Sequence, residues 1–512
     1  MITSLPYSPE RQGIFKLYNR FAILYNVPLR GTLRKEISKL SSYMARCRVL
    51  LSEFERILRN PRGHLAREVI PMEWWLIIIL IFGSLLVLFA TGMPIAFAFL
   101  LVNVAGVFLF WGGEAGLRQL IMSISGSLAT FVLVPVALFI LMGEVMFRSG
   151  IGVDLIDVVD KWLGRLPGRL GIVAVGAGTI FSIMSGASMA STAMLGSLPV
   201  PEMEKRGYKP PMSLGPILGS GGLAIMIPPS GLAVLLAALA EISVAEILIG
   251  GIIPGLLMAL FYAIYIIGRC VLQPSLAPSY DIPHIPILEK LIMTAKHLLP
   301  IGFIIFMVLG LILLGVVTPS EAAATGALAA FILAAAYKRL TWEVAKQSIL
   351  SSIEITVMIF MIISGAKAFS QVLAFSGAGA GMLKFAVGLP LSPVMFIIVM
   401  QGVLLILGMF MSVIAVMMIT IPIMFPIIEA LGFEPVWFGL LLLLNIEMAS
   451  TSPPYGLNLF VMKGVAPPHT KMSDIFRAAI PFLVCDLLVM ALMIVIGDER
   501  FLLVVRSLFF VE

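Results

Sequence analysis

The chain has 512 residues, of which 60% are hydrophobic and 12% charged, about half the ~25% charged share of soluble proteins. Its formal charge of +6 belongs to one end: residues 1–71 hold 13 Lys+Arg against 5 Asp+Glu, leaving 21 against 23 for residues 72–512. A nucleic-acid partner is therefore excluded for the apolar body. Three scattered cysteines and four scattered histidines give no disulfide framework and no zinc cluster, and P-loop, zincin, nucleophile-elbow and dinucleotide motifs are absent from the sequence.

Apolar runs follow one another at the ~20-residue length that crosses hydrocarbon as a helix. The first are Trp74–Ala90, 95–111 and 131–147, the last ending at Glu144 and Arg148, whose i,i+4 spacing reads as a helix-end ion pair. Asp154, Asp157 and Asp160 then alternate with apolar residues before Lys161 and Arg165, the pattern of an interfacial helix. Basic clusters at 148–169, 202–209, 269–296, 338–346 and 463–471 mark the cytoplasmic side. The acidic or neutral loops 241–246, 318–321 and 429–435 mark the outside.

Counting crossings between these markers gives two re-entrant hairpins. Residues 169–202 begin and end in the cytoplasm, so they enter, turn near Ser185–Ser188 and leave. Residues 393–428 begin and end outside and turn near Gly408–Ser412. Each hairpin precedes a span interrupted by the same motif, "IPPSGL" at 227–232 and "SPPYGL" at 452–457. Proline removes a backbone donor and clashes with the preceding turn, so both spans break there. Pro199 and Pro422 are 223 positions apart, Pro228 and Pro453 are 225, and Pro254 and Pro481 are 227. The expected fold is an all-α polytopic membrane protein with inverted repeats, two re-entrant hairpins and two discontinuous helices. Repeat 1 covers about 130–270 and repeat 2 about 350–497, with a scaffold pair at 298–337 between them. The basic tail 1–71 lies outside this domain. The crossing count puts residue 73 outside, where such a tail is unfavourable, so either "MEWW" at 72–75 is the natural start or 1–71 is a real extramembrane tail lying on a partner or membrane surface; the first reading is favoured.

A helix broken in mid-membrane leaves backbone groups that lipid cannot satisfy, so it persists only when buried or lining a wet cavity. Half-helix N-termini attract anions, while C-terminal carbonyls suit hard cations. Two cation sites flanking one anion site are expected. Candidate ligands are Ser185, Gly186, Ser188, Ser191 and Thr192 at the first tip and Gly408 and Ser412 at the second. Pro228, Pro229, Ser230 and Gly231 form the first break, and Thr451, Ser452, Pro453, Pro454, Gly456 and Asn458 the second, with Ser450 adding another oxygen. Na⁺ sites are expected at Ser185, Ser188, Ser412 and Ser452. Glu447 either pairs with Lys367 across the bundle or relays a proton; structural roles are favoured for both. The glycine runs at 219–222 and 377–381 read as close helix packing.

"GEVMFRSG", "SGASMAST", "VPEMEKRGY", "IPPSG", "GGIIPGLLMAL", "VVTPSEAAA", "GFEPVWFG" and "SPPYGLNLFVMKGVAP" occur in this order. Together, over 72–498, they closely resemble the large membrane subunit of tripartite ATP-independent periplasmic (TRAP) transporters. The resemblance implies an elevator-type, Na⁺-coupled importer of small organic anions such as carboxylates, with no other cofactor, in the bacterial inner membrane. It also implies two partners, a periplasmic substrate-binding protein and a small four-helix membrane subunit. Ser412-Val413 departs from the acidic or Asp-Pro pair common in the family, as do Tyr455 from a small aliphatic and Ser452 from Thr. The rival reading is a stand-alone elevator-type carrier of a dicarboxylate or oxyanion, which needs no binding protein. An intramembrane enzyme lacks a recognisable catalytic dyad, and a pure scaffold gains nothing from paired helix breaks.

Overall fold

The computed structural model describes residues 73–111, 113–163, 166–185, 188–197, 199–278 and 286–509. The tail 1–71 and Gly186, both subjects of expectations above, lie outside the described residues. The described chain is helical, with no strand among the described residues. Among the described residues, seven helices are long and apolar enough to cross a membrane, or eight if one bent pair counts as a single span.

The described residues open with α1 (Trp74–Ala90) and α2 (Ile95–Phe110), followed by α3 (Glu114–Leu128), α4 (Val134–Arg148) and the predicted interfacial helix α5 (Ile151–Trp162). The first hairpin is α6 (Arg169–Ser185) and α7 (Ser188–Ser197), broken where the sequence places the tip. A short α8 (Pro199–Lys205) leads to the first interrupted span, α9 (Pro210–Met226) and α10 (Gly231–Ala240), bent by 43°. Then come α11 (Val244–Leu272), α12 (Ile287–Leu313), α13 (Pro319–Ala336) and the 34-residue α14 (Trp342–Phe375). After α15 (Ala378–Val387), the second hairpin is α16 (Pro393–Phe410) and α17 (Val413–Ala430). The second interrupted span is α18 (Pro435–Thr451) and α19 (Leu457–Val465), followed by α20 (Met472–Ile496) and α21 (Asp498–Phe509).

The core axis is the leading half of each broken span. Every residue of α9 from Gly215 to Met226 is buried, and so is every residue of α18 from Val436 to Thr451. A helix apolar on all sides belongs at the centre of a bundle, and these two helices pack against each other. Glycines make the approach close. Gly219 faces the rings of Phe482 and Tyr262, and Gly222 faces the side chain of Glu447, so "GSGG" does serve packing. Gly381 of the second glycine run likewise receives Trp74.

Around this core, α4 packs along α13, and α14 runs past α2, α3 and α4. Asn103 on α2 donates its amide to the Gly365 carbonyl on α14 at 2.7 Å, satisfying a polar group between two spans. Outward faces carry Ile79, Val87, Leu260, Ile264, Phe303 and Ile406, all exposed, as suits lipid contact.

Candidate ion and substrate site

The two breaks follow one plan. α9 ends at Met226, Ile227 turns extended, and Ser230 restarts the chain by accepting the Ala233 amide at 3.3 Å. α18 ends at Thr451, Ser452 turns extended, and α19 starts after Gly456. Both Pro-Pro bonds, 228–229 and 453–454, are cis. At the second tip Ser412 caps α17 by accepting the Ala415 amide at 3.3 Å. These serines satisfy N–H groups that the helix itself leaves open.

One cavity of about 360 Å³ collects all four features. Ser188 and Met189 open α7 there, Gly231 and Leu232 open α10, Ser412 to Ile414 open α17, and Leu457 and Asn458 open α19. The N-terminal turns of four helices therefore border one space, each with open backbone donors and the positive end of its dipole. Ile140, Glu144 and Phe147 of α4 and Ile355, Met358 and Ile359 of α14 form the facing wall. Sequence reasoning missed this wall, since nothing local to α14 says which face meets the hairpins.

The remaining predicted residues stand around the cavity. Ser191 and Thr192 are fully buried on α7. Pro229 borders a smaller apolar recess with Met142, Met146 and Ile301. Gly408 packs against Ala449. Gly456 has room for no side chain, because an added Cβ would meet the Ser450 and Ser452 carbonyls. The Thr451 and Ser452 hydroxyls donate back to carbonyls of their own helix, Ser452 to Met448 at 2.7 Å. Pro453 and Pro454 are part-exposed and exposed at the break, and Tyr455 leans on the Phe410 ring at 5.3 Å. Ser185 ends α6.

Beneath the cavity, Ser188 donates to Glu447 Oε1 at 3.4 Å, and the Ser450 hydroxyl, which donates to the Glu447 carbonyl at 2.8 Å, lies 3.3 Å from the same Oε1. The Asn458 amide donates to both hydroxyls, at 2.6 and 3.0 Å. This polar knot joins the first hairpin, α18 and α19. The Lys367–Glu447 pair, one of the two readings of Glu447, does not form: Lys367 pairs with Glu241 instead. The physical reason is depth. Glu447 is 1% exposed in the core, whereas Glu241 stands exposed beyond the end of α10, where a lysine ammonium keeps its hydration. Glu144 and Arg148 do pair, at 2.7 Å, and Arg148 also reaches Gln347 and Ser351 on α14. A second buried acid was overlooked, Asp486 on α20, which accepts the Tyr262 hydroxyl. Its signal was a lone Asp inside the apolar run "FLVCDLLVM".

The sequence from 82 to 498 matches the family model "Tripartite ATP-independent periplasmic transporter, DctM component". The C4-dicarboxylate TRAP transporter large permease protein DctM of Pseudomonas aeruginosa is 35% identical over 69% of this chain and 81% of its own length. The protein of the same description from Rhodobacter capsulatus is 32% identical over 77% of this chain and 91% of its own. Among solved structures, the Alcanivorax borkumensis YdaH transporter shares the fold, with a TM-score of 0.53 at 15% identity over 75% of this chain and 89% of its own. The paired hairpins, the paired breaks and the near full-length match agree: this chain belongs to the DctM family of TRAP transporter large permeases and is a multi-pass inner-membrane protein.

Proposed function

We propose that this chain is the large membrane subunit of a secondary, Na⁺-coupled importer of small organic anions of the carboxylate type. A periplasmic binding protein delivers the substrate, and a small four-helix membrane subunit braces the scaffold. The observation that carries this reading is the single cavity bordered by four helix N-termini. Aligned N–H groups hold a carboxylate without needing a lysine or arginine, and neither type lines this cavity among the described residues.

Hydroxyls at the tips and breaks supply the cation ligands. Ser188 and Ser412 line the anion space itself, while Ser185 and Ser452 stand at adjoining helix ends. A hydroxyl that donates to a helix carbonyl, as Ser452 does, still offers its lone pairs to Na⁺. Cation and anion then screen each other in a low-dielectric site, which makes their binding mutually favourable. Transport follows an elevator scheme: residues 143–169, both hairpins and both broken helices move against α1, α2, α12 and α13.

Reconstitution tests the proposal. The two membrane subunits in proteoliposomes should accumulate labelled carboxylates only with an inward Na⁺ gradient and with the cognate binding protein present. Uptake without the binding protein would favour a stand-alone carrier. Uptake indifferent to Na⁺ would refute the coupling.

A further inference from the structure

We infer that the substrate held in this cavity is a monocarboxylate with a bulky apolar body, branched aliphatic or aromatic. The inference rests on the carboxylate-import reading and narrows its substrate class: dicarboxylates and polyhydroxylated acids are poor substrates.

Five polar side chains line the cavity among the described residues, and each is already engaged. Ser188 and Ser450 both hydrogen-bond the Asn458 amide nitrogen; Asn458 Oδ1 has no partner but is itself buried. The Ser412 hydroxyl caps α17, and Glu144 pairs with Arg148. Substrate hydroxyl groups would displace these bonds to gain their own, with little net return. A carboxylate fares differently, because it takes backbone donors at helix starts. α10 and α17 already have one such donor satisfied by the oxygens of Ser230 and Ser412. α19 starts at Gly456 with no side-chain cap, and it packs against α7, which Ser188 opens. The carboxylate belongs at this end.

The other half of the cavity is apolar. There α10 packs against α4, α14 and α17, and the lining is Leu232, Val413 and Ile414 with Ile355, Met358 and Ile359 of the facing wall. Ile140 and Phe147 of α4 complete it. The two hairpin tips, matched in the repeat, thus differ in chemistry: the first presents Ser188, the second Val413 and Ile414 beside its cap. Charge acts against a second carboxylate in this half. Glu144 is the one ionisable side chain lining the cavity among the described residues, and its partner Arg148 is also bonded to Gln347 and Ser351. A second carboxylate would lose its water against apolar walls, near a like charge and with no lysine or arginine to meet it. An apolar body gains from the same walls, by ~4-fold in affinity for each methylene it buries. A cavity of about 360 Å³ is large enough to enclose one.

The test is thermal unfolding of the purified chain in detergent at high Na⁺ and constant pH, titrated with phenylacetate and isovalerate against succinate and acetate. A ligand that binds only the folded state raises its stability. The two apolar monocarboxylates should reach the half-maximal shift at concentrations at least ~10-fold below those of succinate and acetate. Met358→Ala should raise the phenylacetate midpoint ~4–15-fold. Met361→Ala, the same change at an exposed position of α14 outside the lining, should leave it unaltered. Succinate or acetate binding as tightly as phenylacetate overturns the inference and leaves carboxylate import standing. Stabilisation by none of the four acids overturns both. Equal phenylacetate midpoints in wild type and the two methionine variants would show that the wall does not meet the substrate body, and would refute the inference.

Discussion

Gly222→Ala probes the packing that brings the two broken spans together. A Cβ at this position would lie 2.6 Å from Cδ and 2.7 Å from Cγ of Glu447, and closer still to Oε1. No real Cβ tolerates such contacts, and Glu447 is hemmed in on a fully buried helix. Either α9 and α18 separate or the carboxylate swings away from Ser188 and Ser450. Overpacking of this kind costs ~1–3 kcal/mol, and losing two hydroxyl contacts adds ~1–2 kcal/mol. The better helix propensity of Ala returns ~1 kcal/mol. The net loss is ~1–4 kcal/mol, read as a lower unfolding temperature in detergent. Gly402→Ala is the matched control: Gly402 is exposed on α16 with nothing within 4 Å of an added Cβ, so only the propensity gain applies. The reasoning fails if Gly222→Ala melts at or above the Gly402→Ala protein.

Other perturbations test separate parts of the structure. Tyr262→Phe strips Asp486 of its hydrogen bond in the core, which should cost ~1–3 kcal/mol; Tyr265→Phe, at a part-exposed neighbour, should stay near wild type in the same melt. Arg148→Ala removes contacts to Glu144, Gln347 and Ser351 together. It should cost ~1–2 kcal/mol and slow uptake by freeing a charge in the cavity wall; an unaltered melt and rate would make that network dispensable. Ser188→Ala and Ser452→Ala should each raise the Na⁺ concentration needed for uptake in proteoliposomes. Wild-type Na⁺ dependence in both would remove these hydroxyls from the ligand set.

Much of the architecture was legible along the chain because its signals are local. Proline pairs announce helix breaks wherever they occur, and Pro228-Pro229 and Pro453-Pro454 interrupt their spans where the sequence places them. Loop charges divided the apolar runs into spans and hairpins, and the tips fall at Ser185–Ser188 and at Ser412. Glu144 and Arg148 pair because four residues bring side chains together on any helix. The order of these motifs was also enough for the resemblance to the TRAP family.

Partner choice between distant helices was decided only by the fold. Lys367 turns to Glu241, Glu447 to Ser188, and Tyr262 to Asp486, none of which any spacing encodes. The same holds for the meeting of four helix N-termini in one cavity and for the apolar wall that α14 presents to it. A helix of apolar residues on all sides carries no mark of which face will meet which neighbour. That assignment comes from side-chain volumes and glycine gaps, such as Gly219 and Gly222, acting between segments far apart in sequence. The chain by itself determined where its helices break; tertiary packing determined what those breaks face.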